Sequence, residues 1–366
     1  MTAEQITLAD LPLRPELRGE LPYGAPQLDV PVLLNVNENP YPLGDRIVTE
    51  IAQAVAGVAR GLNRYPDRDA VALRADLASY LSADGAVALT VDNLWAANGS
   101  NEVMLQLLQA FCGPGRVALS FAPTYSMYPE YARDSHSEWV LGRREEDFTV
   151  DVDHARAMIA AHEPSVVLLA SPNNPTGTAL PLDVISAIAS AAPGMVVVDE
   201  AYAEFRRPDT ASALSLLPRY PRLVVTRTLS KAFALAGARL GYLAADPAVV
   251  DALRIVRLPY HLSAVTQVVA QVALANSDQL LDTVAQLRVT RDQTQRWLRS
   301  IGLRAAESDA NFVLFGEFEN RHAVWQRLLD RGVLIRETGP QGWLRVSIGT
   351  PDEMSAFRTA LQEVVQ

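Results

Sequence analysis

One lysine stands among the basic residues of this chain. Of its 32 lysine and arginine residues, only Lys231 is a lysine. A lysine amine can lose its proton and attack a carbonyl carbon, whereas an arginine guanidinium stays protonated and forms no imine. A general preference for arginine accounts for the scarcity of lysine. It does not account for the position of Lys231, which follows the strand-like run Leu223–Thr226 in the motif Thr228-Leu229-Ser230-Lys231. Covalent chemistry is a reason to keep an amine there.

Two further motifs place polar side chains directly after apolar runs. Asp199-Glu200-Ala201-Tyr202 ends the run Met195–Val198, and a carboxylate there suits a cationic ring nitrogen, although capping of the strand end is a simpler alternative. Ser171-Pro172-Asn173-Asn174-Pro175-Thr176-Gly177 follows Val166–Ala170. This motif is compatible with an ordinary turn, but a doubled asparagine between prolines also suits recognition of a ring oxygen. The sequence leaves the cis or trans state of its X–Pro bonds open.

A third group of residues has the chemistry of a phosphate site. In Asn98-Gly99-Ser100-Asn101-Glu102 the glycine allows close approach of the backbone, and a helix start offers free N–H groups to a phosphate. Helix capping by Ser100 or Asn101 explains this motif equally well. Ser230 and Arg239 are further candidates for binding phosphate, and they would place a cation beside Lys231 that lowers the pKa of its amine.

The charge of the chain indicates where anions can bind. A formal net charge of −10 disfavours nucleic acid as a partner, and Arg143–Arg144 is followed at once by three acidic residues. Arginines that bind anions must therefore lie in a pocket, where low dielectric strengthens the attraction. Arg336 and Arg345, near predicted strand ends of the C-terminal region, are candidates for binding a substrate carboxylate or phosphate.

Several classes of protein are disfavoured. Cys112 is the only cysteine, so no intrachain disulfide forms, and neither a secretory leader nor an apolar run of about 18 residues is recognisable. We expect a cytoplasmic protein without a membrane partner. The five histidines lack metal-ligand spacing, so no metal site is predicted, and a zinc hydrolase is disfavoured. The lack of G-x-G-x-x-G disfavours a nicotinamide-dependent dehydrogenase. A non-catalytic binding homologue would not need Lys231.

Apolar runs alternate with helical patterns, which predicts an α/β fold with βαβ crossovers. We expect an extended arm over residues 1–30, a large domain over 31–275 and a small α+β domain over 276–366. The large domain should hold a mostly parallel, mixed sheet between helices. The predicted strands are Leu94–Ala97, Arg116–Ser120, Val166–Ala170, Met195–Asp199, Leu223–Thr226, Leu240–Ala244, Asn311–Phe315, Val333–Arg336 and Trp343–Ser347. The predicted helices include Glu102–Phe111, Val152–Ala161, Leu182–Ala191, Arg321–Arg331, Pro351–Val365 and a region over 264–300 interrupted near Asn276.

Together these motifs resemble those of the fold-type I, pyridoxal-phosphate-dependent aminotransferases, and most closely the histidinol-phosphate aminotransferases. The similarity runs from Asn35-Val36-Asn37-Glu38-Asn39-Pro40 to Trp343-Leu344-Arg345-Val346, with the motifs in order. It implies that Lys231 forms the internal aldimine with pyridoxal 5'-phosphate and moves protons during the reaction. It further implies that Asp199 pairs with the ring nitrogen.

The resemblance also implies roles for other residues. The ring oxygen would be bound by Asn174 and Tyr202, and Tyr125 would stack on the ring. The cofactor phosphate would be held by Ser100, Asn101, Ser230 and Arg239. Tyr65 is similar to the tyrosine that reaches the cofactor phosphate of the neighbouring subunit, which makes a homodimer part of the active site.

For the substrates, the resemblance implies L-histidinol phosphate as amino donor and 2-oxoglutarate as acceptor, in a ping-pong reaction of histidine biosynthesis. Arg345, assisted by Arg336, would anchor the carboxylate or phosphate of these substrates. Tyr23, Asn37 and Tyr260 are further candidates for the substrate pocket. Aromatic amino-acid aminotransferases and threonine-phosphate decarboxylases share most of this scaffold and stay open as alternatives.

Overall fold

The computed structural model describes residues 6–83 and 87–365. Its strands are β1 (Val32–Leu33), β2 (Leu94–Asn98), β3 (Val117–Ala122), β4 (Glu138–Arg143), β5 (Val166–Ala170), β6 (Met195–Asp199), β7 (Leu223–Thr228), β8 (Leu240–Ala245), β9 (Arg304–Ala305), β10 (Phe312–Gly316), β11 (Val333–Leu334), β12 (Arg336–Glu337) and β13 (Trp343–Ser347). Its α-helices are α1 (Asp45–Ala59), α2 (Val71–Ser82), α3 (Ser100–Phe111), α4 (Tyr128–Asp134), α5 (Val152–His162), α6 (Leu182–Ala191), α7 (Pro247–Val256), α8 (Ala264–Ala275), α9 (Ser277–Ser300), α10 (Arg321–Leu329) and α11 (Pro351–Val365).

A seven-stranded sheet with the order β2-β8-β7-β6-β5-β3-β4 forms the centre of the molecule. Its strands run parallel except β8, which is antiparallel to both β2 and β7. Both faces of the sheet are covered: in β5, Val166 and Leu168 belong to one apolar cluster, and Val167 and Leu169 belong to the other. A strand buried on both faces needs a continuous apolar run, which is why the sequence reveals it. The predicted α/β fold with a mostly parallel, mixed sheet is confirmed.

Most predicted elements are present with small shifts of their ends. Strands β5, β6 and β13 have the predicted bounds, as do helices α6 and α11. The predicted interruption near Asn276 is also found, because α8 ends at Ala275 and α9 begins at Ser277. Within the stretches that the structure covers, no helix is both long and apolar enough to cross a bilayer.

Strands β1, β4 and β9 were not predicted, and one predicted strand is wrong. Strand β4 lies at the edge of the large sheet, and most of its side chains are at least partly exposed, so it carries no buried apolar run. The single predicted strand Val333–Arg336 is wrong. Its first half, β11, pairs with β1, whereas Arg336 begins β12 in the antiparallel sheet β12-β13-β10-β9.

The pairing of β1 with β11 is relevant to the predicted domain limits. It joins Val32 to Val333 and Leu33 to Leu334 in parallel register. Residues 32 and 33, just after the predicted limit at 31, therefore lie against the C-terminal region, because β1 and β11 together form a two-stranded sheet. The limits of the arm and the two domains stay a prediction, and the first five residues of the arm lie outside the described residues.

Candidate active site

The carboxyl ends of β5, β6 and β7 lie at one edge of the large sheet. Asp199 is the last residue of β6, Asn174 follows β5, and Lys231 follows β7. Asp199 is also the cross-strand neighbour of Thr226 in β7. Because neighbouring parallel strands end at the same edge, the three motifs converge there on a cavity of about 250 Å³. Both X–Pro bonds left open by the sequence, Ser171–Pro172 and Asn174–Pro175, are cis.

Most of the predicted site residues line this cavity. They are Tyr23, Asn37, Ser100, Asn101, Tyr125, Asn174, Asp199, Tyr202, Ser230, Lys231, Arg239, Arg336 and Arg345. Tyr65 and Tyr260 do not line it. They stack on each other at the surface, with ring centroids 4.4 Å apart, and Tyr65 is 79% exposed. The assignment of Tyr260 to the substrate pocket therefore finds no support in the cavity of this chain and stays a prediction.

One end of the cavity has the donors that a phosphate requires. Gly99 precedes α3 with a φ of +80°, and a Cβ built on it would lie 2.6 Å from a guanidinium nitrogen of Arg239. Only glycine therefore lets Arg239 approach the start of α3 so closely. The first N–H groups of a helix lack intrahelical partners and favour an anion. With the hydroxyls of Ser100 and Ser230, this set fits the phosphate of pyridoxal phosphate.

The alternative interpretation of this motif as a side-chain cap is wrong. Gly99 occupies the cap position of α3, and no side chain caps the helix there. Glu102 instead accepts hydrogen bonds from the backbone N–H and the side chain of Asn98. Asn101 accepts a hydrogen bond of 2.8 Å from the hydroxyl of Tyr131. Ser100 therefore stays available to a ligand in the cavity.

Asp199 is a buried carboxylate at the wall of the cavity. It accepts hydrogen bonds from the hydroxyls of Tyr128, at 3.1 Å, and Thr226, at 3.2 Å. Burial raises the pKa of Asp199 to about 6, although both hydrogen bonds act to lower it. A carboxylate in this position is stabilised by a cation, and a protonated pyridine nitrogen is a cation that an aromatic cofactor can offer. The geometry therefore fits the predicted ring of pyridoxal phosphate.

Lys231 lies in the same cavity, where its Nζ donates a 3.0 Å hydrogen bond to the backbone oxygen of Val36. Burial lowers the pKa of Lys231 to about 8; Arg345 and Arg239 also lower it, while Glu38 acts to raise it. The sequence analysis attributed the lowered pKa to the cation of Arg239, and the structure adds burial as the largest cause. About a tenth of the amine is therefore neutral, and nucleophilic, at pH 7.

This lowered pKa predicts how fast the cofactor attaches. We expect the rate of covalent attachment of pyridoxal phosphate to the cofactor-free protein to rise about tenfold per pH unit and to level off above about pH 8. Only the neutral amine attacks an aldehyde, and its fraction stops growing once the pH exceeds the pKa. Stopped-flow absorbance between about pH 6 and pH 10 measures this rate. A rate that still climbs steeply at the upper end indicates an unperturbed lysine and contradicts the prediction.

Two arginines of the C-terminal region face the cavity. Arg345 donates from Nη1 to Oδ1 of Asn174, at 2.5 Å, and from Nη2 to the backbone oxygen of Asn35, at 2.8 Å. Its Nε is buried without a partner, and none of the ion pairs found among the described residues includes it. Burial lowers the pKa of Arg345 to about 10, so it stays charged at neutral pH. A buried guanidinium of this kind fits an anionic ligand.

The second arginine is more exposed. Arg336 donates to the backbone oxygen of Gly24, at 3.2 Å, and so contacts the N-terminal arm. In the same arm the hydroxyl of Tyr23 lies 3.1 Å from the hydroxyl of Ser126, and Tyr23 is 48% exposed. The arm therefore borders the cavity on the side of the two arginines.

Sequence reasoning missed three groups that act on the site. Thr226 and Tyr128 bind the carboxylate of Asp199, and the carbonyl of Val36 binds Lys231. Thr226 could have been predicted, because it lies opposite Asp199 when the neighbouring strands β6 and β7 are aligned. No pattern identifies Tyr128, which comes from a short helix, or a backbone carbonyl.

Comparison with known proteins identifies the family. A sequence model of the family "Aminotransferase class I and II" matches residues 30–361. A histidinol-phosphate aminotransferase of Thermobifida fusca is 62% identical over 97% of this chain and 96% of its own length. A histidinol-phosphate aminotransferase 3 of Burkholderia lata is 60% identical, covering 98% and 97% of the two chains.

A solved structure agrees with both. The crystal structure of a histidinol-phosphate aminotransferase from Sinorhizobium meliloti, in complex with pyridoxal-5'-phosphate, superposes with a TM-score of 0.83 at 25% identity, over 92% of this chain and 91% of that one. The cavity here has the donor set for the same cofactor. This chain therefore belongs to the class I and II aminotransferases, within them to the histidinol-phosphate aminotransferase family, and it is an enzyme that uses pyridoxal 5'-phosphate.

Proposed function

We propose that this enzyme transfers the amino group of L-histidinol phosphate to 2-oxoglutarate, giving imidazole-acetol phosphate and L-glutamate, as a step of histidine biosynthesis. The observation that carries the proposal is Arg345, a buried guanidinium with an unpartnered Nε in the cavity that also holds the only lysine. Both proposed substrates bring an anionic group, a phosphate or a carboxylate, that can pair with it. The names of the relatives that are 62% and 60% identical support the same substrate.

Lys231 and Asp199 carry the chemical steps in this proposal. When bound, pyridoxal phosphate supplies an electrophilic carbon and a cationic ring that can accept an electron pair from the substrate α-carbon. Nζ of Lys231 would hold the cofactor covalently; once freed from it, the same nitrogen would accept the α-proton of the substrate and donate it to the electrophilic carbon that the cofactor supplies. Asp199 keeps the ring nitrogen protonated. Because donor and acceptor use the same site in turn, the kinetics should be ping-pong.

The remaining residues of the cavity bind and orient. Asn174 and Tyr202 would donate to the ring oxygen of the cofactor. Tyr125, which packs edge-to-face against Tyr128 with ring centroids 5.5 Å apart, would stack on the ring. The cofactor phosphate would be bound by Ser100, Asn101, Ser230 and Arg239. The substrate anion is bound by Arg345 and Arg336, with Tyr23 and Asn37 at the border of the same space.

A comparison of donors tests the substrate. With 2-oxoglutarate as acceptor, kcat/KM for histidinol phosphate should exceed that for phenylalanine by about 100-fold or more, since the carboxylate of phenylalanine has less charge and fewer acceptor oxygens than the phosphate of histidinol phosphate. Equal or better turnover of phenylalanine favours an aromatic amino-acid aminotransferase. Release of carbon dioxide from threonine phosphate favours the decarboxylase alternative.

A matched pair of variants tests the role of Arg345. Arg345→Gln should weaken the binding of the acceptor 2-oxoglutarate, seen as a markedly higher KM, because it removes the charge that binds the carboxylate. Arg331→Gln is the control, since Arg331 belongs to the same region but pairs with Glu363 at the surface. An equal effect of both variants would count against a direct contact between Arg345 and the substrate.

We also propose that the enzyme is a homodimer, with Tyr65 reaching the cofactor phosphate of the neighbouring subunit. The stacked pair Tyr65–Tyr260 lies outside this chain's cavity, and Ile255 and Leu258 nearby in sequence are 84% and 73% exposed. Exposed apolar side chains near two exposed tyrosines are typical of an interaction surface. The cytoplasmic location stays a prediction from the sequence.

A further inference from the structure

Asn37 contacts Tyr202 from within the protein. It is 2% exposed, and its Nδ2 donates a 3.0 Å hydrogen bond to the hydroxyl oxygen of Tyr202. A tyrosine hydroxyl has a single hydrogen to donate. Because its oxygen accepts from Asn37, that hydrogen stays available for another acceptor. In the part of the chain that the structure describes, this is the one hydrogen bond of the Tyr202 hydroxyl, and Tyr202 lines the cavity.

The amide of Asn37 is held in this orientation by Ser347, at the end of β13. The hydroxyl of Ser347 accepts from the backbone N–H of Asn37 and donates to Oδ1 of Asn37, both at 2.9 Å. The amide oxygen therefore faces Ser347, which leaves Nδ2 to face Tyr202. Asn311 also donates to the backbone oxygen of Asn37, at 3.0 Å. These contacts hold Asn37 at a φ of +58°, a left-handed conformation that asparagine tolerates better than most residues.

The ring of Tyr202 is fixed as well. It packs edge-to-face against Phe312 with ring centroids 5.1 Å apart, and it is 6% exposed. Burial raises the pKa of Tyr202, while the positive charge of Arg345 and the hydrogen bond from Asn37 lower it and Asp199 and Tyr23 raise it. The hydroxyl therefore keeps its proton near neutral pH. Because the ring is fixed, only the direction of the hydroxyl hydrogen of Tyr202 can still change. Asn37 controls that direction by occupying one side of the oxygen.

We propose that Asn37 is a positioning residue that turns the hydroxyl hydrogen of Tyr202 toward the cofactor's ring oxygen. This inference rests on the proposed function, in which Tyr202 donates to that oxygen. It assigns to Asn37 a different role from the substrate contact predicted from the sequence. Strand β13 would then act on the ring oxygen of the cofactor by two routes. Ser347 holds Asn37, which binds Tyr202. Arg345 of the same strand donates to Asn174.

A double-mutant cycle on the cofactor-loaded enzyme tests the inference. The variants are Asn37→Gly, Tyr202→Phe and both together. Glycine is chosen because it adopts a positive φ without strain, so the backbone conformation is kept while the amide and its hydrogen bonds to Tyr202 and Ser347 are lost. The readout is the pH midpoint of the visible absorbance of the bound cofactor. A donor to the ring oxygen stabilises the form that carries full negative charge there, so losing this donor raises the midpoint.

We expect Asn37→Gly to raise the midpoint by about 0.5 pH unit or more when Tyr202 is present, and to leave it unchanged in the Tyr202→Phe background. Equal shifts in both backgrounds would overturn the inference, because Asn37 would then act on the site without Tyr202. No shift from Asn37→Gly, with a clear shift from Tyr202→Phe, would also overturn it while leaving the proposed function intact. No shift from Tyr202→Phe removes the proposed role of Tyr202 and the inference together.

Thermal unfolding of the cofactor-free variants distinguishes a positioning role from a general loss of stability. A general loss of stability would lower the melting temperature, but the absorbance midpoint would not depend on whether Tyr202 is present. If Asn37→Gly does not fold, Asn37→Asp takes its place. It keeps the acceptor for Ser347 but replaces the donor to Tyr202 with an acceptor. Its charge acts in both backgrounds, so the inference requires a larger shift with Tyr202 present than in the Tyr202→Phe background.

Discussion

Replacing Lys231 with alanine should reduce transamination by at least about 10⁴-fold, to the limit of detection in initial rates with histidinol phosphate and 2-oxoglutarate. The chain has no second lysine, so no neighbouring side chain can form the covalent link in its place. The fold should persist, because Nζ makes one hydrogen bond, to the carbonyl of Val36.

Lys231→Arg is the matched control for this prediction. It keeps a positive charge in the cavity but cannot form an imine, so it should be as inactive as the alanine variant. Circular dichroism should show that both variants are folded. Appreciable turnover by either one, measured on protein free of host transaminases, would contradict the assignment of Lys231.

Asp199→Ala has the second largest expected effect, a loss of about 10³-fold in kcat/KM, or roughly 4 kcal/mol of transition-state stabilisation. The reason is that the ring nitrogen loses its charge partner, and a neutral ring accepts the electron pair of the substrate α-carbon poorly. Asp199→Asn should lose nearly as much, since it keeps the shape but not the charge. A loss of less than about tenfold, or 1.4 kcal/mol, would refute the role.

Tyr128→Phe is a graded control for Asp199. It removes one hydrogen bond that acts to lower the pKa of Asp199 and leaves the carboxylate in place. The pKa of Asp199 should rise, so in the cofactor-free protein more of it is protonated at a given pH. A moderate loss of activity that worsens as the pH falls is expected. An effect as large as that of Asp199→Ala would mean that Tyr128 has a role of its own.

The sequence predicted the interior of the fold better than its edges, for a physical reason. Strands such as β6 are buried on both faces and must be apolar throughout, which leaves a visible run. Strand β4 lies at the sheet edge and is free of that requirement. The pairing of β1 with β11 joins residues 301 positions apart, Val32 and Val333, and nothing local in either segment encodes it.

The site shows the same limit. Asp199, Asn174 and Lys231 could be predicted because each follows a recognisable strand, and strand ends meet at one edge. The contacts that orient the site residues could not be predicted, because they join residues far apart in the sequence. Asn37 and Tyr202 are 165 positions apart, and Asn37 and Ser347 are 310 positions apart. Tyr65 and Tyr260 lie outside the cavity of their own chain, and the proposed partner of Tyr65 is a second copy of the chain.

Covalent trapping of the cofactor tests the central claim most directly. Borohydride reduction of the loaded enzyme, followed by peptide mapping with mass spectrometry, should place the cofactor on one side chain. As the chain holds a single lysine, the other amine available is the chain's own amino terminus. We expect the label on the peptide that contains Lys231, with loss of activity in proportion to labelling. Label confined to the amino terminus, or no covalent label at all, would contradict the account.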